Sequence, residues 1–199
     1  MDYPKAIKDL INCFKKLPGV GEKTAERYAL SILNFDLDFA NLFSESLKNV
    51  KTNIKRCNIC NNYSEEDTCL ICKDKTRNNN VVCVVEEPKN IILFEKIGTY
   101  SGTYHVLDGL ISPLDGINPE DIKIDSLLKR IDENDINEII IAVKPSIEGE
   151  TTALYISKIL ADKNVRISKI AHGVPLGAEM EYIDALTLEL ALENRTQIS

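Results

Sequence analysis

The chain has 199 residues, 44% of them hydrophobic and 28% charged, with a formal net charge of −7. This composition fits a globular protein that can bury a core and excludes a disordered or low-complexity chain. No run approaches 18 consecutive apolar residues, and the charged N-terminal stretch "MDYPKAIKDLINCFKK" lacks the apolar segment of a secretory signal, so the expectation is a cytoplasmic protein with no transmembrane helix.

The charge is uneven. Residues 1–80 hold 13 Lys+Arg against 11 Asp+Glu, whereas residues 81–199 hold 11 against 20. A polyanion would therefore meet the first part more readily than the second.

In chain order, residues 4–16 place Ile7, Leu10, Ile11 and Phe14 at helical spacing. "LPGVG" ends that helix. A second helix follows with Ala25, Tyr28, Ala29, Ile32 and Leu33 on one face. A third, over residues 39–50, is expected to bury Phe39, Leu42, Phe43, Leu47 and Val50. Residues 55–77 show no long period and carry four of the six cysteines. From Val81 onward, strand and helix patterns alternate. "VVCVVEE", "YHVL", "EIIIAV" and "RISKIA" read as strands; "NIILFEKI", "SLLKRIDE", "TTALYISKILADK" and "MEYIDALTLELALE" read as helices. Short continuous apolar runs are what strands buried on both faces require, so the expected fold class is α/β with a mainly parallel sheet.

The turn "LPGVGEKTAERYA" carries Gly19, Gly21, Lys23 and Arg27. Glu22 between Gly21 and Lys23 breaks the Walker pattern, and Thr24 stands where a dinucleotide fingerprint needs its third glycine. What remains is a helix-hairpin-helix. Its glycines permit close backbone approach, the free N–H groups opening the second helix face a phosphate, and Lys23 and Arg27 share a face four residues apart. Contacts of this kind hold a nucleic-acid backbone without reading its sequence.

Two residues separate Cys57 from Cys60, and two separate Cys69 from Cys72, with eight residues between the pairs. Two such pairs make a four-thiolate zinc site, and four protein ligands leave no open position, so the ion is structural. An iron–sulfur cluster or two redox dithiols are the competing readings. Basic and acidic residues are mixed around the pairs, which makes DNA contact by the finger weak. Cys13 and Cys83 are expected in packed cores.

Glu86 and Glu87 follow one strand, and Lys144, Ser146, Glu148 and Glu150 follow another. Ligands of open α/β sheets bind at such strand ends. The arrangement resembles the Toprim fold, whose enzymes pair a strand-end glutamate with a later Asp-x-Asp to hold Mg²⁺. Glu86 matches the first element, but "VKPSIEGE" contains no Asp-x-Asp, and two-metal chemistry needs converging carboxylates. His105 and His172 have no nucleophile beside them and read as structural. The Asp-Gly and proline content of residues 108–121 reads as a turn-rich loop or subunit contact.

The order of hairpin, four-cysteine finger and Toprim-like domain resembles the RecR recombination-mediator family. The resemblance rests on "LPGVGEKTAERYA", "CNIC…CLIC", "VCVVEEP", "YHVLDGLISPLDGINPEDI", "EGETTALYI" and "AHGVPLGAEMEYIDALTL". It implies four parts: a DNA-binding helical region (1–54), a zinc finger (55–78), a Toprim-like α/β domain (79–172) and a C-terminal segment for oligomer contact (173–199). It also implies a nucleoid-associated DNA-repair protein without catalytic activity. Such proteins form a ring-like, tetrameric homo-oligomer on double- and single-stranded DNA, and act with RecO and RecF to load RecA at gaps.

By the same resemblance Gly19, Gly21, Lys23 and Arg27 contact DNA and Cys57, Cys60, Cys69 and Cys72 hold zinc. The surface bearing Glu86, Lys144, Glu148 and Glu150 meets RecO, while Mg²⁺ binding there stays open. The chain departs from the family pattern at Asn90, at Ala142-Val143-Lys144-Pro145, where Ala-Thr-Asn-Pro is usual, and at Gly177-Ala178, where Gly-Gly is usual. The first two departures argue against a metal role. Two other functions compete: a Mg²⁺-dependent Toprim-type nuclease or primase-like enzyme, and a zinc-stabilised adaptor that never touches DNA.

Overall fold

The computed structural model describes residues 2–171 and 173–195. The chain divides into two compact units, one ending at Ile54 and the other beginning at Lys55. Among the described residues no helix is long and apolar enough to cross a membrane.

The first unit contains α1 (Lys5–Phe14), α2 (Glu22–Ile32) and α3 (Leu37–Asn53). Ile11, Ala25 and Ala29 form its buried centre, with Ile7, Leu10, Phe14 and Val20 packed around them. Two alanines one helical turn apart let α1 approach α2 closely. The rings of Phe14 and Tyr28 meet edge-on at 5.7 Å and close one side of this contact. Asp36 caps α3, its carboxylate accepting from the Phe39 N–H at 2.7 Å.

Three expectations fail in this unit. No residue of α3 is buried: Leu42 and Val50 are 62% and 67% exposed, and Phe39, Phe43 and Leu47 are exposed as well. An apolar stripe records that a face is meant to be covered, and the covering group is absent from this unit. Tyr28 stays 39% exposed despite its contact with Phe14, and Leu33, the residue after α2, is 66% exposed. Cys13 is exposed, on the side of α1 away from Ile11.

The second unit opens with a small finger: β1 (Lys55–Arg56) pairs antiparallel with β2 (Tyr63–Ser64), and α4 (Leu70–Lys73) follows. Then come β3 (Asn78–Val85), α5 (Pro88–Ile97), β4 (Gly102–Val106), α6 (Ile124–Glu133), β5 (Glu138–Ala142), α7 (Ile147–Ile159), β6 (Arg166–Lys169) and α8 (Ala185–Glu193). The strands β3 to β6 form one fully parallel sheet in the order β4-β3-β5-β6. Alternate side chains of β3 serve two cores. Val82 and Val84 join Leu107, Leu127, Ile139, Ile141 and Ile156 on one face, while Cys83 and Val85 join Ile91, Tyr104 and Val106 on the other. Burial of Cys83 pushes its thiol pKa up to about 12, as expected of a core cysteine.

The chain leaves β3 for β4 on one side and then crosses to β5 on the other. This reversal opens a crevice between the carboxyl ends of β3 and β5, where ligands of such sheets bind. His105 lies in β4, fully buried, with Nε2 2.8 Å from the Lys123 carbonyl oxygen. A carbonyl only accepts, so Nε2 carries the proton and the buried Nδ1 has no partner. Burial holds this imidazole neutral, lowering its pKa to about 4.

The terminal helix α8 starts at Ala185, later than the apolar pattern predicts. Met180–Tyr182 form a separate 3-10 turn, and Asp184 caps α8 by accepting from the Thr187 N–H at 2.9 Å. Gly177 has φ +81° while Ala178 stays out of the left-handed region, so this turn needs only the first glycine of the pair. His172 lies outside the described residues.

Candidate metal centre and nucleic-acid interface

The four cysteine sulfurs lie within 4.8 Å of one another. Cys57, Cys60 and Cys69 are buried, and Cys72 is half-buried. A tetrahedron with Zn–S bonds of ~2.3 Å has edges of ~3.8 Å, so the cluster has the right size. Local backbone geometry gathers it. Asn61 takes φ +62° and donates its N–H to the Cys57 carbonyl at 2.9 Å, which closes the first Cys-x2-Cys turn. The second pair is set by α4, whose first turn begins at Cys69, and the Cys69 N–H points at the Cys57 sulfur at 3.3 Å.

Thiols this close cannot ionise independently. The hydrogen bond between Cys60 and Cys69, 3.5 Å apart, raises the pKa of Cys60 and lowers that of Cys69. Full ionisation of all four needs a cation at the centre, and soft thiolates favour zinc among the common ones.

The finger is bound to the sheet by a network that the cysteine spacing does not reveal. The Val106 N–H donates to the Cys60 carbonyl at 2.9 Å. Asn61 donates from Nδ2 to the Val106 carbonyl at 3.1 Å and to Asp108 at 2.8 Å, and Arg56 meets the other Asp108 oxygen at 2.7 Å. Asp108 itself has φ +63°. The Asp-Gly pair after "YHVL" was the available sequence signal for it. Four basic residues in and beside the finger are paired with acids of the same unit: Lys55 with Asp67, Arg56 with Asp108, Lys73 with Glu66, and Arg77 with Glu95.

In the other unit, Gly19 and Gly21 bracket the hairpin turn. Gly19 has φ +76°, which favours glycine; Gly21 has φ −81°, open to any residue. A Cβ at either would meet no atom within 4 Å, so packing inside the chain does not demand glycine at Gly21. The first helical hydrogen bond of α2 runs from the Ala25 N–H to the Gly21 carbonyl, at 2.9 Å. The N–H groups of Glu22, Lys23 and Thr24 therefore have no acceptor in the helix. Lys23 and Arg27 are exposed one turn apart on α2, and neither makes an ion pair among the described residues. The guanidinium of Arg27 lies 5.5 Å from the Tyr28 ring centre.

At the sheet edge, Glu86 follows β3 directly, and Glu87 is the residue before α5, its N–H donating to Asn90 Oδ1 at 2.9 Å. Asn90 thus has a local structural job. Lys144 stands two residues past β5, with its Nζ 3.5 Å from Glu86 Oε1. Ser146 caps α7 by accepting from the Gly149 N–H at 3.2 Å, while Glu148 and Glu150 lie in the first turn. The Ser146 hydroxyl is the main cause holding the Glu148 carboxyl below the usual range. The acids of this edge do not form a cage: among the described residues, the four cysteines are the group of three or more such side chains close enough to hold a metal ion.

A helical hairpin, a four-cysteine finger and a Toprim-type parallel sheet in one chain define a zinc-finger protein of Toprim fold with a nucleic-acid-binding module. Four family models match along the chain: the RecR helix-hairpin-helix over residues 7–51, the RecR four-cysteine zinc finger domain over 54–74, the Toprim domain over 80–171, and the RecR C-terminal region over 173–196. The chain belongs to the RecR family, and with it to DNA recombination and repair. The four cysteines and the matched finger fit one structural zinc ion.

Proposed function

We propose that the protein is a non-catalytic recombination mediator that clasps DNA as a ring-like homo-oligomer, a tetramer by the family resemblance, in the cytoplasm at the nucleoid. It acts with RecO and RecF to promote RecA loading at gaps. The observation that carries the DNA reading is the opening of α2. Unpaired N–H groups, a glycine whose Cβ space is empty, and the exposed Lys23 and Arg27 lie together there. This supports Gly19, Gly21, Lys23 and Arg27 as the backbone-binding set, for double and single strands alike.

The working division is a DNA-binding region (1–54), the finger (55–78), the Toprim-like domain (79–172) and an oligomer segment (173–199). Repetition of a weak hairpin contact around a ring would convert it into a clamp through effective concentration. The Toprim surface with Glu86, Lys144, Glu148 and Glu150 is the proposed RecO contact. It is charged and built on the helix cap and strand ends rather than on a mobile loop.

Fluorescence anisotropy with labelled DNA across a salt series tests this reading. The wild-type affinity should fall steeply with salt, and the Lys23→Ala/Arg27→Ala variant should bind at least about tenfold more weakly with a log–log slope smaller by about 2. Salt-insensitive binding, or an unchanged variant, would support the adaptor instead. Incubation with DNA and Mg²⁺ tests the enzyme: cleavage abolished by Glu86→Ala would overturn the non-catalytic reading.

A further inference from the structure

Strand register brings four distant segments to one edge of the sheet. Val85 lies beside Val106 and Ala142, and Ile141 beside Lys169, so the residues that follow β3, β4 and β5 meet the end of β6. Four of the acids collected there are given a basic partner by the fold. Lys144 faces Glu86, Arg56 holds Asp108, Lys89 pairs with Glu87, and Lys169 lies 2.9 and 2.8 Å from the two Glu150 oxygens.

We propose that Lys144 is the built-in counter-ion of the crevice between β3 and β5, its ammonium standing beside Glu86 where a divalent cation would have to sit, so that this Toprim edge works without Mg²⁺. The position of Lys144 is set by backbone. Its carbonyl accepts the Ser146 N–H at 3.0 Å, and a Cβ on Gly149 would come within 2.0 Å of that same oxygen. The first turn of α7 therefore presses on residue 144, and only glycine at 149 allows it. From there the lysine stem reaches back across the crevice to Glu86.

The charge argument follows. Mg²⁺ is held by carboxylates with near-ideal octahedral geometry and sheds its waters reluctantly. Glu86 with an ammonium 3.5 Å away offers little net negative charge, and an incoming dication would sit against that ammonium. Glu148, also within the field of Lys144, is engaged first by Ser146, and Glu150 is engaged by Lys169. Half-exposed Lys–Glu pairs add little stability, so stability does not account for Lys144.

The test is Mn²⁺ titration of the zinc-loaded full-length protein, read by loss of the free-ion signal in electron paramagnetic resonance. It rests on the Toprim fold alone, so DNA affinity does not enter. Wild type should bind no tighter than about 10⁻³ M, the weak end for oxygen-ligand sites. Lys144→Asp should bind at least about tenfold tighter, because one change removes the repelling charge and adds a ligand. Adding Glu86→Gln should cancel the gain.

Lys144→Asn removes the cation with an uncharged, exposed residue and should gain about threefold, which decides the matter even where the Asp variant folds poorly. Wild-type binding as tight as that of the variants, no gain in either variant, or a gain that survives Glu86→Gln would overturn the proposal.

Discussion

Two places in the second unit gather cation-binding groups, and they settle their charge in opposite ways. In the finger, four thiols converge within 4.8 Å, and the counter-charge must come from outside. At the sheet edge, Glu86, Glu87, Asp108 and Glu150 each meet a lysine or arginine of the same chain. Counting possible ligands in a motif would rank the acidic edge as the richer metal site. What separates the two is whether the chain already supplies the positive charge.

Removing the zinc ion should break this contrast most visibly. Cys60→Ser, or a strong zinc chelator, should cost on the order of 5 kcal/mol or more, because for so small a finger metal binding is folding free energy. Urea unfolding with zinc stoichiometry in parallel would check it. Since Val106 and Asp108 are bonded to the finger, loss should spread to the end of β4. Saturating Mg²⁺ in the same assay should leave the midpoint unmoved. An Mg²⁺-induced rise would erase the difference between the two sites.

Gly149→Ala is the strongest perturbation of the edge. The new methyl would meet the Lys144 carbonyl at 2.0 Å, so either α7 shifts or residue 144 does. A cost of about 1–3 kcal/mol is expected from overpacking, seen as a lower thermal midpoint with the zinc content unchanged. An unchanged midpoint would show that the first turn of α7 does not fix Lys144.

How much of this was legible follows from sequence distance. The zinc ligands lie within one short segment, so spacing alone exposes them. The parallel strands announce themselves as continuous apolar runs, and that places Glu86 and Lys144 at strand ends. Their pairing was hidden, because it depends on β3 and β5 being neighbours although β4 lies between them in the chain. Arg56 and Asp108, 52 residues apart, were hidden for the same reason. The stripe on α3 was legible as apolar but misread as buried, since periodicity says that a face wants cover and not what supplies it. The exposure of Cys13 was legible: two residues beyond Ile11, it falls on the opposite side of α1 from the face carrying Ile7, Leu10 and Ile11.

His105 sharpens the contrast from another side, as a buried ionisable group given no counter-charge at all. An unfolded histidine takes up its proton near pH 6.5, whereas the folded one resists until about pH 4. Between these values the unfolded chain binds more protons, so the contribution is full above pH 6.5 and is lost as pH falls through the window. Going from pH 7 to pH 5 should cost about 2 kcal/mol. Acid also strips zinc, so the measurement is the difference between wild type and His105→Gln, both followed by urea unfolding. Equal pH slopes would mean that His105 is not the group that titrates.

The smallest expected effect is at Lys169. Its ammonium meets both Glu150 oxygens, but the two side chains are 39% and 44% exposed. Water screens such a pair, and ordering two long side chains offsets most of the attraction. Lys169→Met should therefore change stability by less than about 1 kcal/mol, measured by urea unfolding. A small effect here is informative because it separates two jobs that a salt bridge can do. Thiolates that converge without internal cations make the fold depend on an external ion, so their loss is large. Carboxylates paired one by one at a wet edge leave the fold nearly indifferent and change only which cations and partners that edge accepts. A loss of several kcal/mol at Lys169 would place the edge in the same category as the finger, with charge pairing holding up the fold.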